Sequence, residues 1–105
     1  MPKSMTFNAY SDPGHAWVKV KRDLLLDLGI EDRISRYSYQ KGEYCYLEED
    51  ADLDLFVKTL KSKGIEYKFS EHSTNRRSRI RSYYPYQSYN KKDLTWNLQK
   101  NKRKN

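Results

Sequence analysis

The sequence predicts a small α+β domain in which two helices pack on one face of a mixed or antiparallel sheet. Three observations support this fold class. The length of 105 residues with 36% hydrophobic residues suits one modest core and is too small for a multidomain enzyme. Several short runs alternate apolar and polar residues, which is the period of strands. Two further segments carry apolar residues at helical spacing.

The N-terminal part predicts two strands joined by a tight turn. Residues 6–10 are a candidate extra strand at the N-terminus, and the turn sequence SDPG follows at 11–14. Proline presets one backbone angle and glycine permits positive φ, so the chain bends there. In residues 15–21 every second side chain is apolar, namely Ala16, Val18 and Val20. This period predicts a strand with one buried face.

Two helices follow from apolar spacing and from their terminators. The first is barely two turns long, ends at Gly29 and buries three leucines, Leu24, Leu25 and Leu28. The second is expected to begin with Asp50 as its cap and to end at Gly64. Its apolar residues lie at positions i, i+3, i+4 and i+7, namely Leu53, Phe56, Val57 and Leu60.

The remaining strands complete a predicted topology. Residues 34–39 and 43–47 are tyrosine-rich runs joined by the sequence QKG at 40–42, which predicts a hairpin. Residues 65–69 alternate once more and predict the last strand. From residue 15 the order is strand, helix, strand, strand, helix, strand, the ferredoxin-like βαββαβ order. A different α+β topology stays open, because the first helix is short for a full crossover.

Positive charge is concentrated in the C-terminal third of the chain. The net charge is +7, yet residues 1–69 contain 11 basic and 12 acidic residues, whereas residues 70–105 contain 10 and 2. We therefore expect one domain over residues 1–84, followed by a basic C-terminal arm over residues 85–105 that binds anions. The alternative is a solvated tail that only aids solubility.

The sequence also argues against several classes of protein. No run approaches the roughly 18–20 apolar residues of a membrane span, and the N-terminus has no apolar signal segment, so we expect a cytoplasmic protein. Cys45 is the only cysteine, which precludes an internal disulfide and a multi-cysteine zinc site. No histidine or cysteine spacing fits a zinc site, and we expect no metal and no cofactor.

The densest functional signal is HSTNRRSRIRSYYPYQSY at residues 72–89, here called the arginine-rich segment. Guanidinium groups bind phosphate oxygens bidentately, hydroxyl and amide groups add neutral contacts, and bases stack on tyrosine rings. The predicted phosphate-binding or nucleic-acid-binding residues are Asn75, Arg76, Arg77, Ser78, Arg79, Arg81, Tyr83 and Tyr84. If the segment is extended, Arg77, Arg79 and Arg81 form a row on one side and Ile80 is buried on the other. The alternative is an edge strand whose arginines pair with the acidic stretch at residues 48–54.

Two histidines are weaker candidates for acid–base chemistry. His15 follows the tight turn, with Asp12 three residues upstream, and imidazole titrates near neutral pH. Together with His72 and the arginines it would suffice to cleave a phosphodiester. The alternative is that His15 only fixes the turn. The tyrosines at strand spacing either stack bases or stabilise the sheet, namely Tyr37, Tyr39, Tyr44 and Tyr46.

Four stretches carry a family resemblance: DPGHAW at 12–17, LLLDLGI at 24–30, YSYQKGEYCYLEED at 37–50 and STNRRSRIRSY at 73–83. In combination, their spacing resembles a family of short hypothetical proteins from phages, prophages and bacterial genomes. The resemblance covers residues 6–84 and implies a context rather than a role for any residue. Small phage-type accessory proteins often block or modulate host factors, including nucleic-acid-guided and nucleotide-signalled defences.

Three functions are consistent with these features. The first is a non-enzymatic phage-type accessory protein that binds nucleic acid or a nucleotide through the arginine-rich segment, in a bacterial host cell, to counter host defence. The second is an inhibitor that binds a host protein through its tyrosines or its acidic stretch. The third is a small phosphodiesterase or nuclease that uses its two histidines.

Overall fold

In the computed structural model, residues 4–89 are described, and their strands form one six-stranded sheet. The strands are β1 (Ser4–Ser11), β2 (Ala16–Lys21), β3 (Tyr39–Lys41), β4 (Tyr44–Glu48), β5 (Glu66–Ser73) and β6 (Tyr84–Pro85). The α-helices are α1 (Arg22–Asp27) and α2 (Leu53–Ser62), and two 3₁₀ helices span Glu31–Arg33 and Arg79–Ser82. Within this part of the chain, no helix is long and apolar enough to cross a membrane.

The order of strands in the sheet is β5-β1-β2-β4-β3-β6. Strand β1 runs parallel to β5, whereas all other neighbours are antiparallel. The α+β class and the mixed sheet are therefore confirmed, and the N-terminal run is a strand. The ferredoxin-like order is not confirmed, because β1 lies between β2 and β5, which that order would place side by side.

One face of the sheet holds the main hydrophobic core. Side chains that alternate along the strands meet the apolar faces of both helices there, and the core includes Phe7, Val18, Val20, Leu25, Cys45, Leu47, Phe56 and Leu60. The rings of Phe7 and Phe56 pack edge to face with their centroids 5.1 Å apart. Each fully buried side chain of this size contributes about 1.5–3 kcal/mol to folding.

The start of α2 differs from the prediction. Asp52, not Asp50, is the residue before its first turn. The carboxylate of Asp52 accepts hydrogen bonds from the backbone N–H of Ser35 at 3.0 Å, from the Ser35 hydroxyl at 2.7 Å and from the Ser38 hydroxyl. These bonds hold residues 34–38 as a loop, so the first half of the predicted hairpin is shorter than expected and begins at Tyr39.

A buried ion pair anchors the end of the described chain. The Nη1 atom of Arg22 lies 2.6 Å from Oε2 of Glu31, and both side chains are buried. Glu31 also accepts hydrogen bonds from the Ser88 hydroxyl and the Tyr89 backbone N–H, both at 2.6 Å, while the buried Tyr86 donates its hydroxyl to the Glu31 carbonyl. Packing therefore continues beyond the expected domain boundary at least to Tyr89. The rest of the predicted arm lies outside the described residues.

Candidate nucleic-acid interface

The sheet face opposite the helices is aromatic. Because side chains alternate along a strand, Trp17 of β2 and Tyr46 of β4 point away from the main core. They are buried together with Ile80, and four partly buried tyrosines pack around them, namely Tyr10, Tyr39, Tyr44 and Tyr83. Ile80 and Tyr83 belong to the arginine-rich segment. This segment therefore folds over the sheet and closes the face that neither α1 nor α2 covers.

Asp12 fixes the arginine-rich segment in this position. Its carboxylate binds the Arg81 guanidinium bidentately, with distances of 2.6 Å from Nε to Oδ2 and 2.9 Å from Nη2 to Oδ1. The backbone N–H of Ser78 donates to Oδ2 at 2.9 Å, and those of Gly14 and His15 donate to Oδ1 at 2.9 and 3.0 Å. The bond from Arg81, followed by that from Ser78, holds the pKa of Asp12 well below its usual range. The same bond raises the pKa of Arg81.

Arg81 is thus engaged inside the protein, although it was predicted to bind a ligand. Its guanidinium lies 5.4 Å from the ring centroid of Trp17, in a cation–π contact. A Cβ atom at Gly14 would lie only 2.7 Å from Nη2 of Arg81, so glycine permits the close approach of this side chain. Turn, arginine and tryptophan form one packed unit.

The predicted row of three arginines does not form. Residues Arg79–Ser82 are a 3₁₀ helix rather than a strand, so alternation does not apply to them. The helix begins after Ser78, whose hydroxyl accepts the N–H of Ile80 at 3.2 Å. The burial of Ile80, which is 4% exposed, is nevertheless as predicted.

A cavity of about 650 Å³, here called the basic cavity, lies between the arginine-rich segment and the sheet. Four basic residues line it, namely Lys19, Arg76, Arg77 and Arg79. Three tyrosines also line it, namely Tyr10, Tyr46 and Tyr83. The three arginines are exposed, and within residues 4–89 none of them forms an ion pair. The cavity therefore offers positive charge that no carboxylate of residues 4–89 pairs with.

The other predicted binding residues are distributed unevenly around the basic cavity. Ser78 lines it, and so does Tyr83, whose ring lies 5.1 Å from that of Tyr46. Asn75 is exposed on the same segment but is not among the lining residues. Tyr84 lies elsewhere, because it pairs with β3 as part of β6 and is 77% exposed.

Sequence reasoning missed Lys19 and Tyr10 as members of this site. Lys19 lies between Val18 and Val20, so the alternation in β2 already assigned it to the face opposite the helices. Alternation with Phe7 and Ala9 in β1 likewise assigned Tyr10 to this face, but not to a position beside the arginine-rich segment. Its place depends on the pairing of β1 with β5, a contact between segments that are far apart in the chain.

The two histidines contact different partners. The Nδ1 atom of His15 lies 2.9 Å from Oε1 of the buried Glu48. The ring of His72 stacks on Tyr10 at 5.2 Å, and its Nε2 lies 3.2 Å from Oδ1 of Asn8. None of these contacts joins the two imidazoles, and the partner of His15 is Glu48 rather than the expected Asp12 side chain.

A second cavity of about 670 Å³, here called the aromatic cavity, contains His15, Trp17, Tyr37 and Tyr39 in its wall. The ligating atoms of His15, Glu48 and Asp50, which also line it, all lie within 4.8 Å of one another. The sequence spacing gave no sign of this cluster. Glu48 uses Oε2 to accept the backbone N–H groups of Asp50 and Ala51, at 2.6 and 2.9 Å, and Oε1 to hold His15. Its carboxylate therefore serves to orient the imidazole.

The chain was compared with known protein families, curated proteins and solved structures. No protein-family model, curated protein or solved structure matches the chain. The resemblance to short phage-type proteins therefore stays a prediction.

Proposed function

We propose that the protein binds single-stranded nucleic acid through the basic cavity. The observation that carries the proposal is the set of three exposed arginines, without acidic partners in the described chain, beside tyrosine rings. Guanidinium groups neutralise phosphates and release counterions, which supplies affinity for any sequence. Tyrosine rings supply faces on which unpaired bases stack.

A single strand fits this surface better than a duplex does. In a duplex the bases are stacked on one another, and a protein reaches only phosphates and the edges of base pairs. In a single strand a base can leave the stack and contact an aromatic side chain inside a cavity. The combination of a cavity with aromatic and basic walls therefore favours unpaired nucleotides.

The arrangement of neighbouring cavities favours a strand over a single nucleotide. A small cavity of about 240 Å³ lies at the Pro13–Gly14 turn and is also lined by Arg77 and Arg81. It shares Arg77 with the basic cavity and Arg81 with the aromatic cavity. The three cavities thus adjoin one another through Arg77 and Arg81, and we propose that successive nucleotides occupy them in turn.

The biological setting we propose is that of a phage-type accessory protein in the cytoplasm of a bacterial cell. The resemblance of its motifs to short phage and prophage proteins motivates this setting. A protein that sequesters single-stranded nucleic acid there would interfere with defences guided by nucleic acid. No cofactor is needed for such binding, because charge and stacking supply the affinity.

The proposal is tested by fluorescence anisotropy with a labelled oligonucleotide of about 12 nucleotides, within the usual size of single-strand sites. Affinity is measured at several salt concentrations for the native chain and for a variant that carries Arg76→Ala, Arg77→Ala and Arg79→Ala. Each lost phosphate contact flattens the slope of log K against log salt by about 0.7. The slope of the triple variant is therefore expected to be smaller in magnitude by about 2.

A matched control removes the same charge from the helix-covered side. The variant carries alanine in place of three exposed lysines in α2 or directly after it, Lys58, Lys61 and Lys63. Because it has the same net charge as the arginine variant, it reports the nonspecific effect of charge. Binding and salt slope that fall equally in both variants, or in neither, would overturn the proposal.

A second candidate is binding of a host protein, which two exposed rings favour. Tyr37 is 76% exposed and Tyr84 is 77% exposed, and tyrosine is enriched at the centres of protein interfaces. The acidic stretch is not a continuous contact surface, since Glu48 and Asp52 are buried. The variant Tyr84→Ala, at a ring that lines neither the basic nor the aromatic cavity, is expected to weaken a stoichiometric complex on size-exclusion chromatography while leaving nucleic-acid binding through the arginines intact.

A further inference from the structure

Trp17, which lines the aromatic cavity, carries a buried hydrogen-bond donor without an acceptor in the described part of the chain. Trp17 is 1% exposed, and among residues 4–89 its indole Nε1–H finds no acceptor. A buried donor without an acceptor costs free energy, and native proteins leave few of them. The rings of His15 and Tyr39 and the guanidinium of Arg81 surround the indole at 6.0, 6.3 and 5.4 Å between centres. All of these residues line the cavity, so a shift of one of them at its wall would let a ligand oxygen reach the enclosed Nε1 and supply the missing acceptor.

The same cavity also presents an acceptor. Asp50 is exposed and lines the cavity, and its carboxylate lies within 4.8 Å of the ligating atoms of His15 and Glu48. Its backbone N–H donates to Glu48 at 2.6 Å, which fixes the position of the residue. Glu48 has both oxygens engaged, whereas no hydrogen bond within the described chain engages the side chain of Asp50. The residues that carry the donor and the acceptor, Trp17 and Asp50, therefore line one cavity.

The surroundings favour an organic ligand over a metal ion, although three ligating side chains converge here. Two guanidinium groups, those of Arg36 and Arg81, line the same cavity and repel a cation. The Trp17 indole donates a hydrogen bond and cannot coordinate a metal ion. Tyr37, which is 76% exposed, adds a ring face at the wall on which a planar heterocycle can stack.

We propose that the aromatic cavity holds one base of the bound strand and selects guanine. Guanine carries the acceptor O6 beside two donors, N1–H and the N2 amino group. O6 would accept the indole N–H of Trp17, and both donors would bind the Asp50 carboxylate. Adenine and cytosine present an amino donor beside a ring nitrogen acceptor. In the same orientation, their donor would face the indole N–H of Trp17 and their acceptor would face the carboxylate of Asp50. Uracil and thymine offer the carboxylate only one N–H. The inference rests on the proposed function, because the strand brings the base to the cavity.

The test compares two labelled oligonucleotides of about 12 nucleotides, one of cytosine only and one with a single central guanine. Anisotropy is expected to show about tenfold tighter binding of the guanine-containing strand, as a bidentate contact provides. The variant Asp50→Asn is expected to lose this preference, because an amide cannot accept both N–H groups. The matched control Asp54→Asn removes the same charge from an exposed position on α2 and is expected to keep the preference.

The outcomes separate the two proposals. Equal affinity of the native protein for both strands, or an Asp50→Asn variant that keeps the preference, overturns the guanine pocket and leaves strand binding intact. Absence of binding to either strand overturns the proposed function itself.

A second measurement reports on the cavity directly. The chain has two tryptophans, so Trp96→Phe leaves Trp17 as the only one. In that background, saturation with the guanine-containing strand is expected to quench the emission of Trp17 more than saturation with the cytosine strand does. Equal emission with both strands contradicts the contact between guanine and the indole.

Discussion

The two faces of the sheet are closed in different ways. On the helix-covered face, α1 and α2 bury a continuous apolar core that includes Leu25, Phe56 and Leu60. On the opposite face, a loop segment covers aromatic side chains and is fixed by the carboxylate of Asp12. The first closure depends on many weak apolar contacts, whereas the second depends on one polar cluster. Stability and binding are therefore expected to respond to different substitutions.

The arginine-rich segment shows the same division within itself. Arg81 is held by Asp12 and by the ring of Trp17, so it belongs to the fold. Arg76, Arg77 and Arg79 are exposed beside the basic cavity, so they are available to a ligand. A cluster of arginines is thus not one functional unit, and each guanidinium has to be assigned by its partner.

The largest effect on folding is expected from Phe56→Ala on the helix-covered face. Phe56 is fully buried, and its removal leaves a cavity in the main core, so the free energy of unfolding should fall by about 3–5 kcal/mol. Denaturation in urea measures this loss. Affinity per folded molecule should not change, because the residue lies on the side of the sheet away from the arginines. A loss below about 1 kcal/mol would contradict the assignment of this core.

A smaller effect, dependent on pH, is expected from Asp12→Asn on the opposite face. The folded state depresses the pKa of Asp12, so its contribution to stability is present above the ordinary value of 3.8 and is lost as the pH falls through the lower folded-state pKa. The native protein should therefore lose thermal stability in acid more steeply than the variant does. Thermal melts from neutral pH into the acid range measure the difference.

The comparison with Asp12→Asn also controls for a second acidic group. Burial alone would raise the pKa of Glu31, but hydrogen bonds from Ser88, Tyr89 and Arg22 outweigh it and lower the pKa. Glu31 therefore adds acid sensitivity to both proteins equally. Parallel curves for the native chain and the variant would show that Asp12 does not contribute.

Much of the helix-covered face follows from sequence patterns. Alternation identified Val18 and Val20 as inward residues of β2, and helical spacing identified Phe56 and Leu60 on α2. These patterns are local and reflect the two periods of secondary structure. The position of β1 in the sheet did not follow, because parallel pairing with β5 joins distant segments and leaves no local signal.

The candidate site was predictable in composition but not in geometry. The run of arginines, serines and tyrosines indicated phosphate chemistry, and three of those arginines do line a cavity. The bond between Asp12 and Arg81 spans 69 positions, so spacing gave no indication of it. The contact between His15 and Glu48 could not be predicted either, because the two residues are far apart in the chain and the pairing of β2 with β4 brings them together.

A smaller steric effect is expected from Gly14→Ala. Its new Cβ would lie 2.7 Å from Nη2 of Arg81, and the guanidinium would have to shift away from Asp12. The melting temperature should fall by less than in Asp12→Asn, because the end of a long side chain can move. The two substitutions should not be additive, since each weakens the same bidentate contact. Full additivity in the double variant would show that Gly14 acts on something other than Arg81.

The smallest effect on stability is expected from Arg79→Ala, and its contrast with Arg81→Ala tests the division within the arginine-rich segment. Arg79 is exposed and has no acidic partner among residues 4–89, so its removal should change the free energy of unfolding by no more than about 0.5 kcal/mol. It should still flatten the salt slope of binding by about 0.7, as loss of one phosphate contact requires. Arg81→Ala should instead lower the free energy of unfolding more than Arg79→Ala does and should change the salt slope less. It leaves Asp12 without its strongest partner and the arginine-rich segment without the bond that fixes it. Urea denaturation and anisotropy on both variants provide the comparison. If Arg79→Ala destabilised the fold as much as Arg81→Ala, the exposed arginines would stabilise the fold too. That result would contradict the proposal that the basic cavity binds a strand.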